Sequence, residues 1–463
     1  MAQVVIEQQP LYKVLPIGQQ VIFSVSNDTT VATTYKVKFV AEVYVSNMPL
    51  TWSASELIGT FKTTPNNKGV GIFDLRPILE SFVKPDNEPN SIGNSVSEYK
   101  GTPAINEIFP IHLLDKFSLN NNSMRRFAIR FLVEFATTPN GAVGVPTSSK
   151  DSAQYKMFNG VIQYDDVLDV FQSDFGYNMN GYYLTSSIKS FLTTAPTTQY
   201  ARLEDYGTFS FLNYMSPSTP LYAFVIEYYY PSGSSSDTVE WLNANGGRTS
   251  AGPLTDTRLA YFGAFPANLK NWSAAFIDAV SLGLTHYTVT AIGSGPHQVY
   301  SQSYTINIIC PNERGYEGIR LTWLNQWGTW DYYTFNMKST KSIQTKRTSY
   351  TQLGGTWNDS AFKISGYKGG KKNFRVNSTE KIKLNTDFVS EAEGVWFEEL
   401  INSPEVYVLE GYQTDPSFSS YNTYVQPATI INSSYIRKTK ANDRLMQYTI
   451  EIEKSKMKRT QSV

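Results

Sequence analysis

Short runs in which apolar and polar positions alternate dominate the chain, and Gly, Pro, Asn and Asp separate them. That period of two predicts many antiparallel strands. Val21 to Val25 and Tyr35 to Val45 flank the polar turn Asn27-Asp28-Thr29-Thr30, which predicts a hairpin. Leu57 to Lys62 and Gly71 to Asp74 flank Pro65-Asn66-Asn67-Lys68-Gly69 and predict a second, because those residues tolerate tight-turn dihedrals. Behind the capping residue Asp74, with Pro77 in the first turn, the intervals of Leu75, Ile78, Leu79 and Phe82 predict one short helix across a sandwich. The Pro-, Asn- and Ser-rich stretch 84–123 reads as a loop excursion, and Arg126 to Phe135 as a strand returning to the first sheet. Pro139 to Pro146 then closes a domain near residue 150.

Farther on, Tyr155 to Val170, Thr208 to Leu212, Ala223 to Tyr230 and Tyr287 to Ile292 predict strands of a second β domain with long loops. From about residue 300 the pattern changes. Tyr304 to Cys310 and Ile319 to Leu324 read as one hairpin, and Asn325 to Phe335 as another loaded with aromatic residues. Ser390 and Glu393 have capping-box spacing, with Val395, Phe397, Leu400 and Ile401 as the apolar face of a short helix. Val406 to Leu409, Thr429 to Ile431 and Met446 to Ile452 complete the strands. The expected fold is mainly β: several antiparallel β-sandwich or Ig-like domains with a few short helices, divided as 1–150, 151–300 and 301–463.

Composition sharpens this picture. Charged residues make up 17% of 463 positions, and 31 Tyr, 26 Phe and 8 Trp raise the aromatics to 14%. An average soluble domain is about 25% charged, so the surface relies on uncharged polar side chains, as polar protein interfaces do. Lys plus Arg and Asp plus Glu both number 40, so overall charge draws the chain neither to nucleic acid nor to an anionic surface. The sole cysteine, Cys310, excludes an intrachain disulfide. No basic, apolar leader opens the sequence and no apolar run nears the length of a membrane helix, so neither secretion by its own leader nor a membrane anchor is expected.

Charge is distributed unevenly near the C-terminus. Residues 338–383 hold eleven Lys or Arg against Asp359 and Glu380, a net of +9, whereas residues 384–411 hold seven acids and no Lys or Arg. Complementary blocks of this kind suit docking between protein surfaces or a solvated face, and would stabilise the fold instead if they met within one subunit. Lys371 and Lys372 stand for the basic block and Glu398 and Glu399 for the acidic one. Catalytic patterns are sparse. No G-x-S-x-G elbow occurs, Gly366 to Lys372 departs from phosphate-loop spacing and reads as a lysine-rich turn, and His112, His286 and His297 lack the spacing of a local metal site. Neighbouring acids such as Asp165-Asp166 and Glu204-Asp205 do not establish a facing pair for glycoside cleavage. Trp323, Trp327, Trp330, Tyr332 and Tyr333 suit a core, a subunit contact or a sugar-stacking platform.

The stretch from Cys310 to Phe335, with Lys341 to Tyr350, Trp396 to Tyr407, Ile431 to Tyr435 and Tyr448 to Glu451, resembles a family of structural proteins of tailed bacteriophages that includes crAss-like phages of Bacteroidota. The resemblance covers about the last third of the chain, with a looser match at 57–83. It implies a virion component of the tail or neck, made and assembled in the host bacterial cytoplasm, with other copies in a ring and other tail or portal-proximal proteins as partners. It implies no catalysis, cofactor, metal, membrane anchor or sequence-specific nucleic acid. Trp327, Trp330, Tyr332, Tyr333, Lys371, Lys372, Glu398 and Glu399 are the expected interface residues. A receptor- or glycan-binding tail module is the alternative reading, and a polysaccharide-degrading tail enzyme a third.

Overall fold

The computed structural model describes residues 4–47, 56–89, 110–114, 116–144, 149–162, 168–171, 174–185, 187–213, 221–232, 235–240, 257–293, 298–310, 315–356, 360–410, 424–432, 434–438 and 446–459. It is mainly β, with 50% strand and 13% helix. The chain forms two compact units. The first is Met1–Ile308 with Leu324–Asp331, and the second is Ile309–Trp323 with Tyr332–Val463.

The first unit begins as a sandwich. Val5–Gln8, Ile22–Ser26 and Val70–Asp74 make a three-stranded sheet, and Val14–Pro16, Tyr155–Phe158, Met124–Ala136, Tyr35–Asn47 and Glu56–Thr63 make the spine of a six-stranded one. Phe23, Val25, Phe39, Ala41, Val43, Phe73, Phe127, Ile129, Phe131 and Tyr155 fill the space between them. Neither hairpin expected at the N-terminus forms, because each flanking pair of strands divides between the two sheets. Ile22–Ser26 pairs with Val5–Gln8 and Val70–Asp74, while Tyr35–Asn47 pairs with Glu56–Thr63 and Met124–Ala136. The intended turn is a helix, Asp28–Thr33, whose N-terminus Asn27 caps by accepting from Thr30 N at 3.1 Å. The second connection is a tight turn, with Asn66 Oδ1 accepting from Lys68 N and Val70 N and Gly69 at φ +79°. Both links carry the chain from sheet to sheet. The helix after Asp74 is a short α turn, Arg76–Leu79, continued as a 3-10 turn, Glu80–Phe82. Leu75 and Leu79 are buried, and Ile78 and Phe82 pack against the sandwich core.

Residue 150 is not a boundary between sheets. Tyr155–Phe158 belongs to the six-stranded sheet, and Phe117–Leu119 pairs with Arg258–Gly263 in a four-stranded one. Thr208–Asn213 and Arg258–Gly263 are buried at every position, so that four-stranded sheet is covered on both faces. A five-stranded sheet adds Thr198–Ala201, Tyr304–Ile308, His286–Gly293, Leu221–Tyr229 and Ser235–Glu240. Phe191, Phe209, Phe224, Phe262 and Tyr304 form a stacked aromatic core in this region. Tyr304–Ile308 pairs here with His286–Gly293 and Thr198–Ala201, so it does not make the expected hairpin with Ile319–Leu324.

Part of the expected loop excursion 84–123 is core, because Asp86, Ile111, His112, Leu113 and Leu114 are all buried; residues 90–109 lie outside the described ones. Burial of the Asp86 carboxyl pushes its pKa up, against the pull of its hydrogen bonds from Ser123, Asn122, Tyr261 and Asn121. Oδ1 accepts from Asn121 N at 3.0 Å and Ser123 N at 3.1 Å as well as from Asn122 N. Oδ2 accepts from the hydroxyls of Ser123 and Tyr261.

The second unit is built on one sheet. Its strands run in the order Trp330–Phe335, Ile319–Leu324, Val406–Leu409, Val425–Ile430, Thr449–Lys454, Gly370–Asn385 and Thr340–Gln352. The first and last in that order are joined by only residues 336–339. Seven flat strands would span roughly 29 Å, and this link reaches at most about 18 Å, so the sheet curls back on itself. Inside the curl lie Leu321, Trp323, Ile382, Leu384, Val408, Ile450 and Ile452. The helix Glu391–Asn402 closes it, with the capping box of Ser390 and Glu393 in place. The helix buries Trp396, Phe397 and Leu400 and leaves Val395 44% exposed, so its inner face is rotated from the one expected.

Replacing Asp86 by Ala strands three backbone N–H groups and two hydroxyls. The expected cost is about 3–5 kcal/mol, the range for breaking a buried charge network. Asp86→Asn keeps one acceptor oxygen for the three N–H groups and should lose clearly less. Chemical denaturation of the three proteins gives the comparison; equal losses would show that this network does not hold the fold.

Candidate functional site

Sequence reasoning offered two candidate regions, the Trp-rich hairpin and the charge blocks. An aromatic hairpin forms, but between Ile319–Leu324 and Trp330–Phe335 with residues 325–329 as its turn, where Asn325 to Phe335 had been expected to fold as a hairpin of its own. Trp323, Trp327, Trp330 and Tyr332 are all less than 5% exposed, and Tyr333 is half-buried. In the second unit Trp323 packs on Trp396 with ring centroids 4.8 Å apart, and Tyr333 meets Phe397 edge-on, also at 4.8 Å. The hairpin tip, Leu324–Asp331, belongs to the first unit. There Asn325 Oδ1 accepts from Trp327 N, Thr329 N and Thr329 Oγ1, while Asn325 Nδ2 and Thr329 Oγ1 both donate to Leu192 O. Trp327 lies on Tyr182, and Trp330 meets His112 edge-on and donates from Nε1 to Asp86 O at 2.7 Å. Trp327, Trp330 and Tyr332 are therefore internal packing groups. They present no face to a sugar or to another subunit, a correction to their expected place at an interface.

The charge blocks separate into a neutralised base and an exposed arm. At the base, Lys341 pairs with Glu317 at 3.2 Å and with Glu410 at 3.1 Å. Lys454 pairs with Glu410 and Glu380, Lys381 with Glu453, and Lys383 with Glu451. Burial disfavours charge on both Lys341 and Glu410. Hydrogen bonding between them, helped by Glu317 on one side and Lys454 on the other, outweighs it: the lysine pKa is raised and the glutamate pKa lowered. Glu398, expected to serve an interface, is engaged by Arg437. Glu399, half-buried beside it on the helix, has a partner too. Most of the acidic block thus serves its own unit.

Beyond this base the strands Thr340–Gln352 and Gly370–Asn385 continue as a two-stranded arm. Thr449–Lys454 stops pairing at Lys381, and Lys458–Arg459 covers only Asn377 and Ser378. Among the described residues, 370–376 pair with their mate strand alone. The thirteen residues of Thr340–Gln352 extend roughly 44 Å at about 3.4 Å per residue. The first ten are all exposed, so no face of this strand is buried, unlike an ordinary sheet strand that alternates. Lys371, Lys372, Lys346 and Arg347 are exposed and have no ion-pair partner among the described residues; Arg375 has none there either, but is half-buried. Near the tip, where Gly369 and Gly370 take φ of +90° and +78°, stand Leu353, Phe362, Ile364 and Tyr367. Ile364 is 85% exposed and Tyr367 81%. The sequence showed the charge of this segment but not its projection, because exposure depends on where neighbouring strands end.

Other candidates disperse. His112 and His286 occupy separate places, against Trp330 and against Tyr229, and His297 lies outside the described residues. No group of three or more His, Cys, Asp or Glu suited to a metal occurs among the described residues. Asp205 accepts from Arg202, Asp165 and Asp166 lie outside the described residues, and Gly366 to Gly370 is the turn of the arm. No helix among the described residues is long and apolar enough to cross a membrane.

Gly328 gives the sharpest test of the hairpin tip. It has φ +69°, and a Cβ there would fall 1.4 Å from Asn159 O. Gly328→Ala cannot keep this geometry, so a loss above about 3 kcal/mol is expected from backbone strain and displaced packing. Thermal unfolding checks it; a variant as stable as the parent would show that the tip is not seated as described.

No protein-family model and no curated protein matches the chain. Among solved structures, the native conformation of E. coli alpha-2-macroglobulin aligns with 82% of this chain and 22% of its own length, at 8% identity and a TM-score of 0.19. The chain thus spans about a fifth of that protein, and the similarity is too slight to carry a functional argument.

Proposed function

We propose that this chain is a structural subunit of a phage virion, in a ring of the tail or neck, and that it works through protein–protein contacts. One observation carries the assembly part of the reading: the exposed two-stranded arm of 343–352 and 370–376, with cations along it and apolar side chains at its end. An isolated two-stranded ribbon is marginal in water, since it buries too little apolar surface to offset its ordering. Lysines along a free strand edge also guard against unwanted pairing, which accounts for Lys346 and Arg347. It does not account for Ile364 and Tyr367, whose exposure suits a surface that another protein covers. The resemblance of the C-terminal third to phage structural proteins supplies the setting. A glycan-binding reading has lost its candidate platform, because the indoles of the Trp hairpin point into the protein.

Mass photometry of the full chain across concentration and salt tests this reading, together with its copy number in purified particles. The expected result is a closed oligomer of fixed order that weakens with salt, because exposed charges are screened beyond about 8 Å at physiological ionic strength. Lys371→Glu with Lys372→Glu should keep the parental melting temperature and weaken association by about tenfold or more, ~1.4 kcal/mol. A chain that stays monomeric at every concentration and is absent from particles would overturn the reading.

A further inference from the structure

A second exposed apolar patch lies in the first unit. Leu168–Phe171 and Asp174–Tyr177 form a two-stranded sheet of their own. The inner strand is held by Leu11 N donating to Phe175 O at 3.1 Å, and Tyr12 donates its hydroxyl to Asp169. The outer strand turns its side chains to solvent: Val170 is 63% exposed, Phe171 62% and Leu168 41%. The charged residues on these two strands, Asp169 and Asp174, are both acidic. Between Met157 and Ile188 the sequence has four Asp and no Lys, Arg or His. The pattern over Tyr155 to Val170 predicts strand here but not its exposure, because a run such as Val167-Leu168-Asp169-Val170-Phe171 reads equally well as core.

The arm tip is the complement of this patch in both respects. It offers Phe362, Ile364 and Tyr367 as apolar groups, with Lys368, Lys371 and Lys372 beside them. Resting on the assembly reading above, we infer that the arm tip of one copy docks on the Leu168–Phe171 strand of a second copy. Three observations select a second copy as the occupant. Each patch is exposed on its own unit. The chain is neutral overall and residues 338–383 carry +9, so the rest of each copy carries −9 and offers surface of the sign opposite to the arm of another. The two patches are different surfaces, and a contact between unlike surfaces is the kind that propagates around a ring. Apolar side chains flanked by opposite charges then divide the work, the charges guiding encounter and the apolar contact slowing release.

Zero-length coupling of lysine to carboxylate, on an equal mixture of isotopically light and heavy full-length chains, tests the inference. Cross-links from Lys371 or Lys372 to Asp169 should join light to heavy chains as often as like to like. Val170→Ser with Phe171→Ser, and separately Ile364→Ser, should each weaken association about tenfold while leaving the melting temperature unchanged, since all three side chains are exposed. Combining the two sets should add little further loss, because they remove the same contact. Links to Asp169 found only within one isotope would overturn the inference. So would binding of the arm to anionic phospholipid vesicles or to a different virion protein in place of this patch. If Val170→Ser with Phe171→Ser assembles normally while Lys371→Glu with Lys372→Glu does not, the docking partner is wrong and the assembly reading stands. If neither pair affects assembly, the docking inference falls together with the arm's part in assembly, and a ring would rest on other contacts.

Discussion

The first unit depends on how one buried carboxylate, that of Asp86, is satisfied. A carboxylate taken from water costs several kcal/mol unless donors surround it. Here the consecutive N–H groups of Asn121, Asn122 and Ser123 converge on one oxygen, and two hydroxyls converge on the other. This requirement fixes the turn that leads into the long strand Met124–Ala136 and ties it through Tyr261 to the four-stranded sheet. The same residue's carbonyl receives the Trp330 indole, so the hairpin tip is registered against the same point. Asn325 plays a similar part on the other side of the tip, where one amide group organises the turn and anchors it to Leu192. Polar groups, more than apolar area, determine which arrangement of these β elements forms, because a misplaced strand would leave them unpaired in a dry interior.

Strand positions were legible from the sequence, and strand partners were not. The alternation in Tyr35 to Val45 marks a strand whatever its neighbours, since side chains alternate faces in any sheet. It says nothing about whether Ile22–Ser26 lies beside it or across from it, and in the fold it lies across. Asn27 contained the relevant signal, because a residue that caps a helix is as common before a helix as within a turn. The capping box at Ser390 was readable in full, being a local pattern of four residues with a local cause. The aromatic content of the hairpin left a core, a subunit contact and a sugar platform open, and an interface was expected for Trp327 and Trp330, which are buried. What the hairpin tip packs against was not legible either, because Asp86 lies far away in sequence, inside a stretch whose Pro, Asn and Ser content suggests a loop. The charge blocks were visible as composition, but their division into paired base and unpaired arm depends on where Thr449–Lys454 stops along its neighbour.

The arm stands in contrast to this over-determined interior. Among the described residues its backbone pairs with one mate strand, its faces are largely open, and its cations lack carboxylates. Within one chain, little apart from ladder hydrogen bonds and the bulge between Thr348 and Ser349 gives it shape. Such a segment is expected at the low end of the local stability range, where opening is frequent. Under the assembly proposal that weakness has a use, since a surface left incomplete in the subunit is completed by its neighbour. The account divides the protein into an interior that specifies its own geometry and an arm that a neighbour specifies.

Hydrogen exchange of backbone amides, measured on the dilute chain and on the assembled protein, tests that division most directly. The account predicts that residues 343–352 and 370–376 exchange quickly in the dilute chain and become strongly protected on assembly, while the amides of Asn325 to Trp330 stay protected in both. Arm amides equally protected in the two states would mean that the arm is already complete within one chain. Arm amides that exchange as quickly in the assembly as in the dilute chain would mean that nothing covers them. Either result would contradict the account.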